Sequence, residues 1–229
     1  LQEITLDQGI VHVGAATRLA DIIRSPIIQE HAPLLAHAVQ DMASLQVRNS
    51  ATIGGNLCTA SPAADTAPPL LVLEAMVEIV DGEGKARTMP LTDFFQGPGQ
   101  CVCRAGSSLL TSIRFPALKE NEHTYRHKMG LRRAFTISVI SMAMKARMQN
   151  GTCEDICLAF GAVAPTPIRA RDTEDLVRGR TLSPERIEQA AAQASQEVSP
   201  ISDVRASAEY RRDMAGVLTK RALESAVQE

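Results

Sequence analysis

Thr52-Ile53-Gly54-Gly55-Asn56-Leu57-Cys58-Thr59-Ala60-Ser61-Pro62-Ala63-Ala64-Asp65 is the stretch on which the reading of this chain turns. Small, hydroxyl-bearing and amide-bearing side chains stand where a core strand carries bulky apolar ones. Paired Gly54 and Gly55 are expected to take positive φ and to let a ligand approach bare backbone N–H groups. Thr52, Asn56, Thr59 and Ser61 add short polar partners. Two readings stay open on residue chemistry: a seat for a phosphate- or hydroxyl-bearing cofactor, or a tight polar loop that caps neighbouring helices.

The flanks place this stretch among helices and strands. Upstream, Ile10 to Ala15 alternates as a strand entering a turn, Thr17 stands as the N-cap of a helix Arg18 to Arg24, and His31 to Ala43 carries apolar residues at helical spacing. Gln46 to Ser50 reads as a polar linker into the motif, and Pro68-Pro69 starts a short apolar helix. Ala75 to Val80 and Ala86 to Met89 form a hairpin about Asp81-Gly82-Glu83-Gly84, and Leu109 to Phe115 is a further strand closed by Pro116. The polar run Lys119-Glu120-Asn121-Glu122 is the clearest break in composition, so one domain is expected over 1–118 and a second over 122–229. In the second, Asn150-Gly151 joins two long strands, Ser183-Pro184-Glu185 opens a helix, and a last helix from Ser207 to Val227 carries the stripe Tyr210, Met214, Val217, Leu218 and Leu223.

Composition excludes several classes of function. A formal charge of −2 offers no general pull toward nucleic acid or anionic membrane, and with 3% aromatics and no Trp there is no base-stacking platform. The longest apolar runs fall short of the roughly 20 residues of a membrane helix and no signal segment opens the chain, so a soluble, cytoplasmic protein is expected. Five cysteines, Cys58, Cys101, Cys103, Cys153 and Cys157, are an odd set for a disulfide framework. A four-thiolate metal site can be drawn from the last four, but its spacings differ from the usual two-residue ones, and no metal ligand is assigned. With no Ser-His-Asp or Cys-His arrangement, any chemistry belongs to a cofactor.

Three segments together resemble one family. Val47-Arg48-Asn49-Ser50-Ala51-Thr52-Ile53-Gly54-Gly55-Asn56-Leu57 with Ala60-Ser61-Pro62 and Asp65 is similar to the FAD-binding domain of molybdenum hydroxylases, the xanthine dehydrogenase, aldehyde oxidase and carbon monoxide dehydrogenase enzymes. Lys128-Met129-Gly130-Leu131-Arg132-Arg133-Ala134 resembles the entry to their C-terminal flavoprotein domain, and Glu209-Tyr210-Arg211-Arg212-Asp213-Met214 the start of its closing helix. The resemblance implies an α+β fold: the second half of a two-subdomain FAD-binding domain, a mixed sheet with flanking helices, followed by a smaller α+β domain with an antiparallel sheet. It implies FAD as cofactor, with Thr52, Ile53, Gly54, Gly55 and Asn56 along the pyrophosphate and ribityl region, and Thr59 and Ser61 adding hydroxyls. Asp65 is implied on the adenosine side, Leu110 or Thr111 by their backbone at the adenine, and Lys128 as a charge brought to the flavin. It further implies an oxidoreductase subunit without catalytic residues of its own, taking electrons from a small [2Fe-2S] subunit beside a large molybdopterin subunit and passing them to NAD+ or another acceptor. The expected assembly is a dimer of heterotrimers.

Two departures bear on these expectations. The family's first glycine-rich loop has no counterpart here, since Leu1-Gln2-Glu3-Ile4 resembles the segment that follows the first FAD subdomain. The chain is therefore expected to supply about half of the flavin cradle, and a truncated, flavin-free interaction subunit of the same complex is the rival reading. Thr136 stands where many members carry Asp.

Overall fold

The computed structural model describes residues 1–103, 105–132 and 136–227. Hairpin β1 (Ile4–Asp7) and β2 (Ile10–Gly14) is followed by short helices α1 (Leu19–Arg24), α2 (Pro26–His31), α3 (Pro33–Gln40), α4 (Leu45–Ser50), α5 (Ile53–Cys58) and α6 (Ala67–Val72). Next come β3 (Met76–Asp81), β4 (Ala86–Pro90), a 3-10 turn at Leu91–Asp93, the small pair β5 (Phe95–Gly97) and β6 (Gln100–Cys101), and β7 (Ser108–Pro116). The remainder is β8 (Glu122–Met129), β9 (Ile140–Gln149), β10 (Thr152–Gly161), β11 (Ile168–Arg169), α7 (Arg171–Val177), β12 (Arg180–Thr181), α8 (Pro184–Glu197) and α9 (Ala208–Val227).

The first sheet runs β1-β2-β7-β3-β4. Strand β7 lies between two hairpins, and its register sets Ile113 opposite both Val13 and Val77, with Phe115 opposite Val11. Residues directly opposite share a face, so these side chains form one apolar wall, fully buried against α1, α3, α5 and α6. Every pairing among the described residues of this sheet is antiparallel, where a mixed sheet was expected. The α+β class stands; tight turns make β1–β2 and β3–β4 antiparallel, and β7 enters between the two hairpins running opposite to both β2 and β3.

The second sheet runs β11-β10-β9-β8, with β12 also on β10. Both its faces are covered. Ile140, Met142, Met144 and Phe160 pack toward α8 and α9, whereas Ala143, Cys157 and Ala159 join the core of the first sheet. The residues facing α6 are small, and a Cβ at Gly161 would come 3.2 Å from Pro68 Cγ and 2.5 Å from Ser141 Oγ, so the helix lies directly on the strand. A charged seam adds to this contact: Lys145 Nζ lies 3.6 Å from Glu74 and 3.5 Å from Glu122.

Several local expectations change. Arg18, not Thr17, occupies the cap position of α1, and Thr17 is buried with an unpartnered hydroxyl. The helix drawn over His31 to Ala43 is split at Ala32, because Pro33 cannot continue α2 and opens α3 instead. The Gln46 to Ser50 linker is helical: Ser44 accepts from Val47 N, and Arg48 Nη1 donates to Met42 O and Ala43 O. On α9 the buried face is Arg211, Ala215, Leu218, Thr219, Ala222, Leu223 and Ala226, and Tyr210 and Val217 point outward. Small residues win there because α8 crosses so closely that a Cβ at Gly216 would meet Ala191 O at 2.9 Å. Arg133 and Ala134 of the expected entry motif lie outside the described residues.

Candidate functional site

The first half of the stretch folds as a helix, α5 (Ile53–Cys58), capped by Thr52 and followed by turns as far as Asp65, so the paired glycines sit in a helix and not in a loop. Thr52 supplies the cap, its Oγ1 accepting from Gly55 N at 3.1 Å. Neither Gly54 nor Gly55 has positive φ. Their N–H groups are not bare either: Ile53 N donates to Thr17 O at 3.0 Å, Gly54 N to Ala15 O at 2.9 Å, and Gly55 N to the cap. The two glycines serve different ends. Gly54 faces inward, where a Cβ would fall 2.7 Å from both Ala15 Cβ and Ala15 O. Gly55 faces outward, and a Cβ there would meet only Thr52 Oγ1, at 3.1 Å.

Thr52, Gly55, Asn56 and Thr59 recur at helical spacing and form the outer face of α5. A hydroxyl carries one proton and two lone pairs. Thr52 spends a lone pair on Gly55 N, which leaves its proton to donate. Thr59 Oγ1 donates to Gly55 O at 2.8 Å and so presents lone pairs. Asn56 Oδ1 accepts from Thr66 Oγ1 at 2.6 Å, which leaves the amide nitrogen with two donors and no partner among the described residues. The face therefore offers a hydroxyl donor and an amide donor on either side of a residue with no side chain. That donor set fits a ligand bearing phosphate or hydroxyl oxygens.

The other expected residues are dispersed about this face. Ile53 and Leu110 are core residues. Leu110 precedes Thr111, whose carbonyl accepts from Ala15 N at 2.9 Å, so β7, Ala15 and Gly54 form one hydrogen-bonded chain. Ser61 Oγ accepts from Ala63 N at 3.2 Å and borders a cavity of about 350 Å³ shared with Ser138, Ile137 and Arg211.

Asp65 and Lys128 are brought together. Lys128 Nζ, on β8, donates to Asp65 Oδ2 at 2.7 Å and to Asp41 O at 3.1 Å. The second oxygen of Asp65 accepts from Ser138 Oγ, and both side chains of the ion pair are over nine-tenths buried. Asp65 makes no cap on α6. Two of the three ammonium protons of Lys128 are thus placed, and the residue lines a cleft of about 440 Å³ with Asp41, His127, Met129, Gly130, Arg132 and Thr136. Burial, with Arg221 and Arg126 nearby, pushes the His127 imidazole below its usual range, toward the neutral form at pH 7. Asp41 is also the partner of Arg126. Sequence reasoning missed Ser138, Thr66 and Asp41, because each is a lone polar residue: Asp41 and Ser138 are selected by the packing of the second half on the first, and Thr66 by the approach of its loop to α5.

The cysteines do not form the drawn four-thiolate site. Cys101 packs beside Cys58 and Cys103 against the first core, while Cys153 lies in the second. Burial, then the neighbouring Cys103 and Cys101, pushes the Cys58 thiol up to about 12, and burial pushes Cys153 and Cys157 up to about 11.

Comparison with known proteins gives this geometry a family. Residues 1–118 match the FAD binding domain in molybdopterin dehydrogenase, and residues 123–226 match the CO dehydrogenase flavoprotein C-terminal domain. A putative xanthine dehydrogenase FAD-binding subunit of Escherichia coli is 36% identical over 229 residues, spanning 99% of this chain and 78% of that protein. The glyceraldehyde dehydrogenase medium chain of Sulfolobus acidocaldarius is 35% identical over 214 residues, 93% of this chain and 75% of that one. Carbon monoxide dehydrogenase from Hydrogenophaga pseudoflava superposes with a TM-score of 0.93 at 32% identity, over 98% of this chain and 77% of the other. Helix α5 and its outward donors, the antiparallel sheets and matches along nearly the whole chain agree, and the chain belongs to the FAD-binding subunits of the molybdopterin dehydrogenases.

Proposed function

We propose that this chain is the electron-transfer subunit that holds FAD in a molybdenum hydroxylase of the xanthine dehydrogenase type. The observation that carries the reading is the outer face of α5, where the Thr52 hydroxyl and the Asn56 amide flank the bare Gly55. Thr52, Gly55, Asn56 and Thr59 bind the pyrophosphate and ribityl oxygens, and Gly54, with the core residue Ile53, fixes the helix against Ala15 and Thr17. Ser61 and Asp65 border the same region, and the backbone at Leu110 or Thr111 meets the adenine. Lys128, its ammonium held by Asp65 and Asp41, would bring its positive charge to the flavin. Bound FAD supplies two-electron and one-electron transfer at a single centre.

Electrons reach this subunit from a [2Fe-2S] small subunit beside a molybdopterin-binding large subunit and leave to NAD+ or another acceptor. Support comes from relatives named as medium chains and FAD-binding subunits. We assign residues 1–118 to the FAD-binding domain and residues 122–229 to the C-terminal domain, the two sheets meeting between Pro116 and Glu122. A cytoplasmic dimer of heterotrimers is the proposed assembly; no helix among the described residues is long and apolar enough to cross a membrane. The test is purification of the protein with its natural partners and release of the flavin by denaturation. One FAD per chain is expected, and an assembly that is complete but carries no flavin refutes the reading.

A further inference from the structure

Asn56 can present either of two chemistries from the outer face of α5, an acceptor oxygen or a donor NH2, and its own position does not choose between them. Thr66 chooses. This residue precedes α6, is fully buried, and makes no cap bond to its own helix. Its hydroxyl proton needs an acceptor, and the bond it makes is to Asn56 Oδ1, at 2.6 Å. Were the amide turned over, its nitrogen would donate to Thr66 Oγ1 and the buried hydroxyl proton would be left without an acceptor, a loss comparable to a hydrogen bond unmade in an apolar site. The adjacent Asp65 is held from the other side by Lys128 and Ser138, so the backbone that carries Thr66 is anchored to the second sheet.

We propose that Thr66 is a positioning residue for cofactor recognition: it locks the Asn56 amide with its NH2 group outward, so that this position selects an oxygen acceptor, a phosphate or ribityl oxygen, on the ligand. The proposal rests on the reading of α5 as a wall of the FAD site. It assigns a role to a buried side chain that touches no ligand, and it makes the presentation of Asn56 depend on how the loop before α6 is tied to β8.

The experiment is FAD titration of the deflavinated full-length protein in its natural assembly, read by quenching of flavin fluorescence, with thermal melts of the apo forms alongside. Thr66→Val keeps the shape and removes the proton, and is expected to weaken FAD about five- to ten-fold, the effect of one hydrogen bond. Thr66→Ser restores the hydroxyl and should return affinity to within about two-fold of the parent, which separates orientation from packing. Asn56→Asp is the decisive arm. With NH2 outward, a carboxylate there faces an acceptor oxygen and binds FAD more weakly than Asn56→Ala does. An Asn56→Asp protein that binds as well as or better than Asn56→Ala overturns the orientation, and so does a Thr66→Val protein with parental affinity. If Asn56→Ala itself leaves FAD affinity unchanged, the reading of α5 fails and takes the proposal with it.

Discussion

Alanine should destabilise the fold at Gly54 and be tolerated by it at Gly55, although the two positions are neighbours in one short helix. At Gly54 the added Cβ would lie 2.7 Å from Ala15 Cβ and 2.7 Å from Ala15 O, well inside van der Waals contact. Backbone cannot swing aside as a side-chain tip can. Ala15 is also held at both ends, its carbonyl accepting from Gly54 N and its N–H donating to Thr111 O, each at 2.9 Å. Relief of the clash therefore separates α5 from β7. Overpacking of this kind costs about 1–3 kcal/mol, and the stretched hydrogen bond adds about 1 kcal/mol. The better helix propensity of alanine returns up to about 1 kcal/mol. The net loss is about 1–3 kcal/mol, a fall in Tm of roughly 3–10 °C for a chain of this size.

At Gly55 the single neighbour is Thr52 Oγ1 at 3.1 Å, so the apo protein should change by under about 1 kcal/mol in either direction. The proposed cofactor face is nevertheless altered, and Gly55→Leu, which fills the space between the Thr52 and Asn56 donors, should abolish FAD retention with the fold intact. The assay pairs thermal melts of the apo proteins with the FAD released per chain from the purified assemblies. A Gly54→Ala protein as stable as the parent refutes the inward packing. Full FAD content in Gly55→Leu refutes the outward face as the cofactor wall.

Three further outcomes follow from the charges and thiols. Asp65→Ala leaves the Lys128 ammonium buried without its carboxylate and should cost about 3–5 kcal/mol in denaturant unfolding, with Asp65→Leu combined with Lys128→Met recovering most of it; a single-variant loss below about 1 kcal/mol contradicts the buried pair. The Arg211 guanidinium bonded to Asp203 holds that carboxyl well below its usual range, at about 2 against 3.8. A depressed carboxylate stabilises the fold above its unfolded value and loses that contribution as pH falls from about 4 to 2. The gap in stability between parent and Asp203→Asn should therefore close over that window, and a gap that persists at pH 2 argues against it. Thiols held at about 12 for Cys58 and about 11 for Cys153 and Cys157 stay protonated at neutral pH and lower the stability of the fold only as pH rises above about 9. Alkylation of the native protein near pH 8 should modify these three at least about 100-fold more slowly than in denaturant, and equal rates would show the thiols to be exposed.

Several features that depend on neighbours in sequence were announced by the residues, although the cap of α1, the helix at Leu45–Ser50 and the break before Pro33 were not. Asn150-Gly151 takes positive φ at both positions, 50° and 75°, and joins β9 to β10 as the dipeptide requires. Ser183 caps α8 with Pro184 in its first turn, and Asp81 to Gly84 closes the β3–β4 hairpin. Turn and cap chemistry at these positions is decided within a few residues, whereas the start of α1 is set by the distant pairing of Arg18 with Thr52. The antiparallel character of the first sheet was not legible in the same way, because β7 enters between two hairpins from far along the chain. The stripe on α9 misled in part: Leu218 and Leu223 are buried as expected, but Tyr210 and Val217 are exposed, because closeness to α8 favours alanine and glycine on the buried side.

The candidate site divides along the same line. Sequence by itself determined that Thr52 to Asp65 is a stretch of small residues with short polar side chains. Tertiary structure alone decided that Gly54 is a packing residue and Gly55 an open one, since the difference lies in Ala15, 39 positions away from Gly54 and unrelated to it by any local pattern. It likewise decided that Asp65 meets Lys128 across 63 residues and that Thr66 orients Asn56. Hydrogen bonds between buried side chains are set by which elements pack together, and that packing is the cooperative outcome of the whole core, not of any segment within it.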